Sequence, residues 1–178
     1  MIRRLLIGLV ALLGASTPNL AHADATVTRS PATAPTLGTT IRGTTATTFS
    51  ISTSGVVTRT SGNAIRLTSG SVTTPTLSVN CGLLNLSGLC ALRYVRVTIT
   101  PVGSGSATIT RLRVGSLSGA TYRSGSAPAE GSTLTFDLNP LGLLSTATFH
   151  LGMDVTLAAN APTGTYGFDY LVTVELVK

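Results

Sequence analysis

The chain is 178 residues long, 43% hydrophobic and only 10% charged, with a formal net charge of +6 at pH 7. That length suits one domain with a core of its own. Basic residues this few and this scattered do not make a nucleic-acid surface, and eight aromatics are too few for the two interfacial girdles of an outer-membrane barrel.

Met1 to Arg4 form a short basic head, Leu5 to Ala15 an apolar run too short to span a bilayer, and Ala21-His22-Ala23 a small-x-small cleavage motif. Residues 1–23 therefore read as a secretory signal peptide. Position 24 is Asp rather than Cys, so no lipid anchor is expected at the cut, and no later apolar run is long enough to span a membrane. The expected product is secreted, to the periplasm or the cell surface, and not membrane-spanning. Removal of Arg3 and Arg4 leaves ten of the twelve basic residues against six acidic ones, a net charge of +4.

Residues 24–44 are rich in Ala, Thr and Pro, with Pro31 and Pro35 discouraging a central strand, and read as an N-terminal arm. Residues 45–178 read as the folded domain. Short strands are expected at 47–52, 56–59, 64–68, 75–79, 92–100, 107–114 and 132–138, separated by turn signals such as SGN at 61–63, GSGS at 103–106 and NPLG at 139–142. The strongest pattern is TATFHLGMDVTL at 146–157, where Ala147, Phe149, Leu151, Met153, Val155 and Leu157 alternate with polar residues and glycine. Residues 165–177 repeat it, with Tyr166, Phe168, Tyr170, Val172, Val174 and Leu176 in phase. Many short strands and no amphipathic helix predict an all-β fold, an immunoglobulin-like antiparallel β-sandwich.

If the last two strands were a matched hairpin, Asp154 would face Asp169, and like charges directly opposed are unfavourable. They are therefore expected in opposite sheets. Earlier in the chain, a turn at 102–105 would make a hairpin pairing Arg96 with Arg111 and Tyr94 with Arg113. Parity then puts Val95, Val97, Ile99, Leu112 and Val114 on one face. Tyr94, Arg96, Arg111 and Arg113 fall on the other, as a candidate patch for an anionic ligand, since guanidiniums bind carboxylate and phosphate bidentately.

Cys81 and Cys90 are the only cysteines and are expected to form a disulfide stapling the loop between them, given export to an oxidising compartment. Their spacing does not suit a redox pair, and the chain has too few ligands for a metal centre. Outside the signal segment His150 is the only histidine, with no nucleophile or carboxylate at a triad spacing, so no catalytic residue, cofactor or enzymatic activity is expected.

Two stretches, LGTTIRGTTATTFSISTSGVVT at 37–58 and LGMDVTLAANAPTGTYGFDYLVTVELV at 151–177, resemble an exported bacterial family catalogued as domain of unknown function four-four-zero-two. That family is similar in pattern to spore-coat-U-like and chaperone-usher pilin domains. The resemblance implies a pilin-like subunit lacking one strand, completed by the N-terminal arm of a neighbour through β-augmentation. It makes residues 24–40 the donor candidate, with Ala25 and Val27 in phase. The partners it implies are other copies of the chain or related subunits, with a periplasmic chaperone and an usher.

Two functions follow as expectations. The first is a non-enzymatic structural subunit of a surface fibre or surface layer. The second is a monomeric secreted module that binds anionic polysaccharide or lipid headgroups through Tyr94, Arg96, Arg111 and Arg113.

Overall fold

A computed structural model of the chain describes residues 25–81, 89–103, 105–142 and 144–178. Residues 1–24, which include the expected signal peptide, and most of the loop between the cysteines lie outside them.

Twelve strands and one short helix follow in order: β1 Thr26–Ser30, β2 Thr36–Ile41, β3 Thr47–Ile51, β4 Val57–Ser61, β5 Ile65–Arg66, β6 Thr76–Asn80, α1 Leu89–Leu92, β7 Tyr94–Val102, β8 Ala107–Ser118, β9 Leu134–Leu138, β10 Thr146–Leu157, β11 Gly164–Gly167 and β12 Asp169–Val177. Every strand pair is antiparallel, and the sheets pack as a sandwich. The fold is all-β and immunoglobulin-like, as the alternation predicts.

The first layer is organised by β10. Its inward residues Ala147, Phe149, Leu151, Met153, Val155 and Leu157 are all buried, which is what period-two alternation demands of a strand at the centre of a half-buried sheet. β8 runs along one edge of β10; along the other, β6 pairs its first half and β3 its second. β1 extends the layer beyond β6, and β4 extends it beyond β3. The second layer has β7 between β9 and β12, and β2 between β11 and β5. β11 and β12 are nearly one strand, interrupted at Phe168, so the last two long strands do stand in opposite layers.

The two sides of the sandwich are finished differently. On one, the segment 119–133 covers the outer edges of β8 and β9. Leu112 and Gly131 exchange backbone hydrogen bonds, and Arg123 and Asn139 tie the segment to β9 through Asp137 O and Thr121 O. On the other side lie β1 and β4 of the first layer and β12 and β5 of the second. That side is open.

The segment read as an arm is part of the sandwich. β1 pairs β6 over its whole length, and after a switch at 31–35 the chain enters the other layer as β2 against β11. Pro31 and Pro35 fall in the switch, where no ladder hydrogen bond is lost. Gly38, at φ 77°, breaks the alternation of β2, so its buried residues Leu37 and Thr40 are three apart rather than two.

Candidate functional site

β7 and β8 are not hairpin partners. β7 ends at Val102 in the second layer and β8 begins at Ala107 in the first, so β7 pairs β9 and β12 while β8 pairs β10. The expected facing of Arg96 with Arg111 and Tyr94 with Arg113 is corrected accordingly. Tyr94 and Arg96 belong to one layer, Arg111 and Arg113 to the other, and the four side chains do not form one patch. The reason is electrostatic as well as topological. A hairpin would oppose arginine to arginine, whereas the crossing gives each a carboxylate directly across a strand pair.

In the second layer Arg96 stands between Asp137 on β9 and Glu175 on β12, in register with both. Its Nε and Nη2 donate to Asp137 Oδ1 and Oδ2 at 2.8 and 3.1 Å. Arg123 reaches the same carboxylate at 3.3 Å and covers the ring of Tyr94, its guanidinium carbon 3.8 Å from the centroid. The hydrogen bond from Arg96, helped by Arg123, holds the Asp137 carboxyl below the ordinary aspartate range. In the first layer, Arg113 Nη2 lies 2.6 Å from Asp154 Oδ1, and Arg111 and Glu130 complete a four-member network. A guanidinium committed to a carboxylate has few donors left for a ligand. The predicted anionic patch is thus a set of internal ion pairs.

The inward parity of the apolar residues holds: Val95, Val97, Ile99, Leu112 and Val114 are all buried. A bulge at Thr110 lets Ile109 and Leu112 both face the core although three residues apart. Cys81 and Cys90 are bonded and buried. His150 is half-buried on β10, its Nδ1 3.5 Å from Thr76 Oγ1. Among the described residues no cluster of His, Cys, Asp or Glu is arranged to hold a metal ion, and no helix is long and apolar enough to cross a membrane.

The open side carries the features that sequence reasoning missed. Ala25 is buried and Val27 packs against the core, both filling the chain's own sandwich rather than forming a free arm. Next to Val27 in phase is Arg29, which points inward on the edge strand β1. Its Nη1 donates to Asp169 Oδ1 on β12 at 2.6 Å, and its guanidinium lies 5.5 Å from the centroid of the Tyr170 ring. Burial pushes the Asp169 carboxyl up, but Arg29 and the Tyr170 backbone N–H outweigh it, leaving the carboxyl below its usual value. Burial raises the Tyr170 hydroxyl, which has no hydrogen-bond partner.

Between these two edge strands runs a groove of about 390 Å³, with Val27 and Arg29 on one wall, Asp169 to Val172 on the other, and Leu77 of the core among its lining residues. Among the described residues no strand pairs the second edge of β12. Val172, Val174 and Leu176 point toward the core from this strand, yet each is only half-buried. The signal was present in the sequence as the long alternation of 165–177, but alternation reports a face, not whether an edge is covered.

Compared with family models, with curated proteins and with solved structures, the chain matches none.

Proposed function

We propose that this chain is an exported structural subunit that assembles through the open side of its sandwich, the uncovered edge of β12 receiving a strand from a neighbouring molecule. One observation carries the reading: a nine-residue strand offers an edge that no strand among the described residues pairs, while its inward row, Val172, Val174 and Leu176, remains half-exposed. An uncovered edge of this length is a template for another strand, and natural sheets either blunt such edges or use them. Here β8 and β9 are blunted by the segment 119–133 and β1 by inward-pointing Arg29, whereas Leu171 on β12 is 57% exposed. An added strand would satisfy main-chain groups and cover the inward row, which is the physics of β-augmentation.

The pilin-like resemblance agrees with this reading, and the disulfide fits an exported location. The neighbour's contribution differs from a free arm, because β1 is already paired to β6 within its own chain. Deleting residues 24–40 would remove two strands and is not a clean test.

The test is the mass of the purified mature protein by light scattering across a concentration series, with hydrogen exchange followed on β12. Assembly with new protection of the β12 amides is expected. Val174→Lys, which puts a charge in the inward row, should leave a folded monomer. A wild-type protein that stays monomeric at every concentration, with β12 exchanging freely, would remove the reading.

A further inference from the structure

Three arginines stand on the inward-facing row of edge strands on the open side: Arg29 on β1 and Arg66 on β5, both half-buried, and Arg59 on β4, which is exposed. Arg29 meets Asp169. Among the described residues the other two meet no carboxylate. Of the six acidic residues in the chain, Asp24 lies outside the described residues, and Glu130, Asp137, Asp154, Asp169 and Glu175 are each paired with arginines other than Arg59 and Arg66.

Both arginines line one cleft of about 510 Å³ between β4 and β5, where Phe49, Val57 and Ala64 supply apolar surface and Thr68 a hydroxyl. Arg59 stands directly across from Phe49 in the β3–β4 ladder, on the same face as Val57, which packs against the core. Only its Nη1 is engaged, donating to Ala64 O at 3.0 Å. Arg66 is held in place from behind, Nε donating to Leu37 O at 2.6 Å and Nη1 to Gly70 O at 2.9 Å. Its Nη2 is enclosed and has no acceptor.

A guanidinium keeps its charge at any ordinary pH, so this cleft holds two positive charges against partly apolar walls. Two like charges at one cleft repel, although Arg59 is exposed and solvent screens the repulsion, and an enclosed donor without an acceptor is costly. An anion seated between the two side chains offsets the first and supplies a counter-charge beside the second. We infer that the β4–β5 cleft is a binding site for an oxyanion, a carboxylate or a phosphate group, received between Arg59 and the anchored Arg66. Both arginines lie outside the ion pairs into which Arg96, Arg111 and Arg113 are drawn. The inference does not rest on assembly through β12, which lies at a different edge.

The experiment is a two-dimensional amide and arginine side-chain NMR titration of the mature protein with inorganic phosphate, with glucuronate, and with glucose as the uncharged control. Saturable shifts are expected at Ile65, Arg66 and Thr68 and at the Arg59 side chain, with a dissociation constant on the order of 1 mM or tighter. Binding of phosphate alone identifies a phosphate ester as the natural group. Binding of glucuronate alone identifies a carboxylate, and binding of both identifies a general oxyanion site.

Arg59→Gln should weaken binding at least tenfold while the β3–β10 amides keep their positions, and Arg111→Gln should leave it unchanged. Arg59→Lys, retaining charge without the planar fork, should fall between. Shifts that are absent, that match those with glucose, or that survive Arg59→Gln would overturn the site.

Discussion

Arg29 on the first strand and Asp169 on the last are joined at 2.6 Å, the closest polar contact across the open side of the sandwich. The pair holds β1 toward β12 without pairing their backbones, so it latches the groove and leaves the edge of β12 available. Arg29→Ala should release that latch. Because Asp169 is 44% exposed, solvent screening limits the loss to about 1 kcal/mol or less. The larger effect is local: hydrogen exchange at Val27 and Arg29 should speed up while the amides of β10 keep their protection. Equal loss of protection in both strands would mean that the pair serves global stability instead.

Acid should weaken the fold through the same class of contact. Asp137 is held below the ordinary aspartate range by the hydrogen bond from Arg96 and then by Arg123. Asp169 is lowered as well, against the opposing effect of burial. A depressed folded-state value means that the unfolded chain binds protons first. The stabilisation is therefore full above the unfolded aspartate value of about 3.9 and is lost as pH falls through the folded-state value. Urea midpoints measured at about pH 7 and about pH 3 should differ, and Asp137→Asn should be less stable at the upper pH and show a smaller drop. An unchanged drop in that variant would separate Asp137 from the acid response.

The disulfide joins the end of β6 to α1, just before β7, and so ties one layer to the other. Replacing both Cys81 and Cys90 by alanine should destabilise by about 2.5 to 3 kcal/mol on the chain-entropy account of a ten-residue loop. Thermal unfolding under oxidising conditions measures it. Reductant should lower the wild-type midpoint and leave the double variant where it is.

What could be read from the residues was governed by locality. The alternation of 146–157 marks β10 residue for residue, and parity places Val95, Val97, Ile99, Leu112 and Val114 in the core. Side-chain alternation is a property of one strand. It does not say which strand lies alongside, so the change of layer from β7 to β8 was not legible from it. The argument from Asp154 and Asp169 did separate the last two strands, because it used charge across a pair. The same reasoning applied to Arg96 and Arg111 would have rejected their hairpin. β1 and β2 were hidden for another reason: an edge strand with Val27 and Arg29 inward, and a strand interrupted by Gly38, show no apolar period.

The first-layer ion network gives a contrast between two neighbouring arginines that sequence parity treats alike. The Arg113 side chain is only 16% exposed and faces Asp154 at 14%, while Arg111 is 56% exposed. Arg113 also donates from Nη1 to Ser50 Oγ and Ile51 O at 3.1 and 3.0 Å, crossing the face of Gly152 to reach them. Removing it leaves a largely buried carboxylate with only the longer contact from Arg111 at 3.7 Å, so Arg113→Ala should lose about 2 kcal/mol, whereas Arg111→Ala should lose about 0.5 kcal/mol. Gly152→Ala tests the path itself. A Cβ there would stand 2.8 Å from both Arg113 Cγ and Ile51 O and 2.9 Å from Thr53 N, so both the arginine and the backbone at 51–53 must give way, at about 1 to 3 kcal/mol. Because both changes disturb the Arg113 contact while the clash with the 51–53 backbone belongs to Gly152→Ala alone, their effects should add only in part in the double variant. Additive losses would mean that Gly152 is small for the sake of the β3–β10 ladder alone.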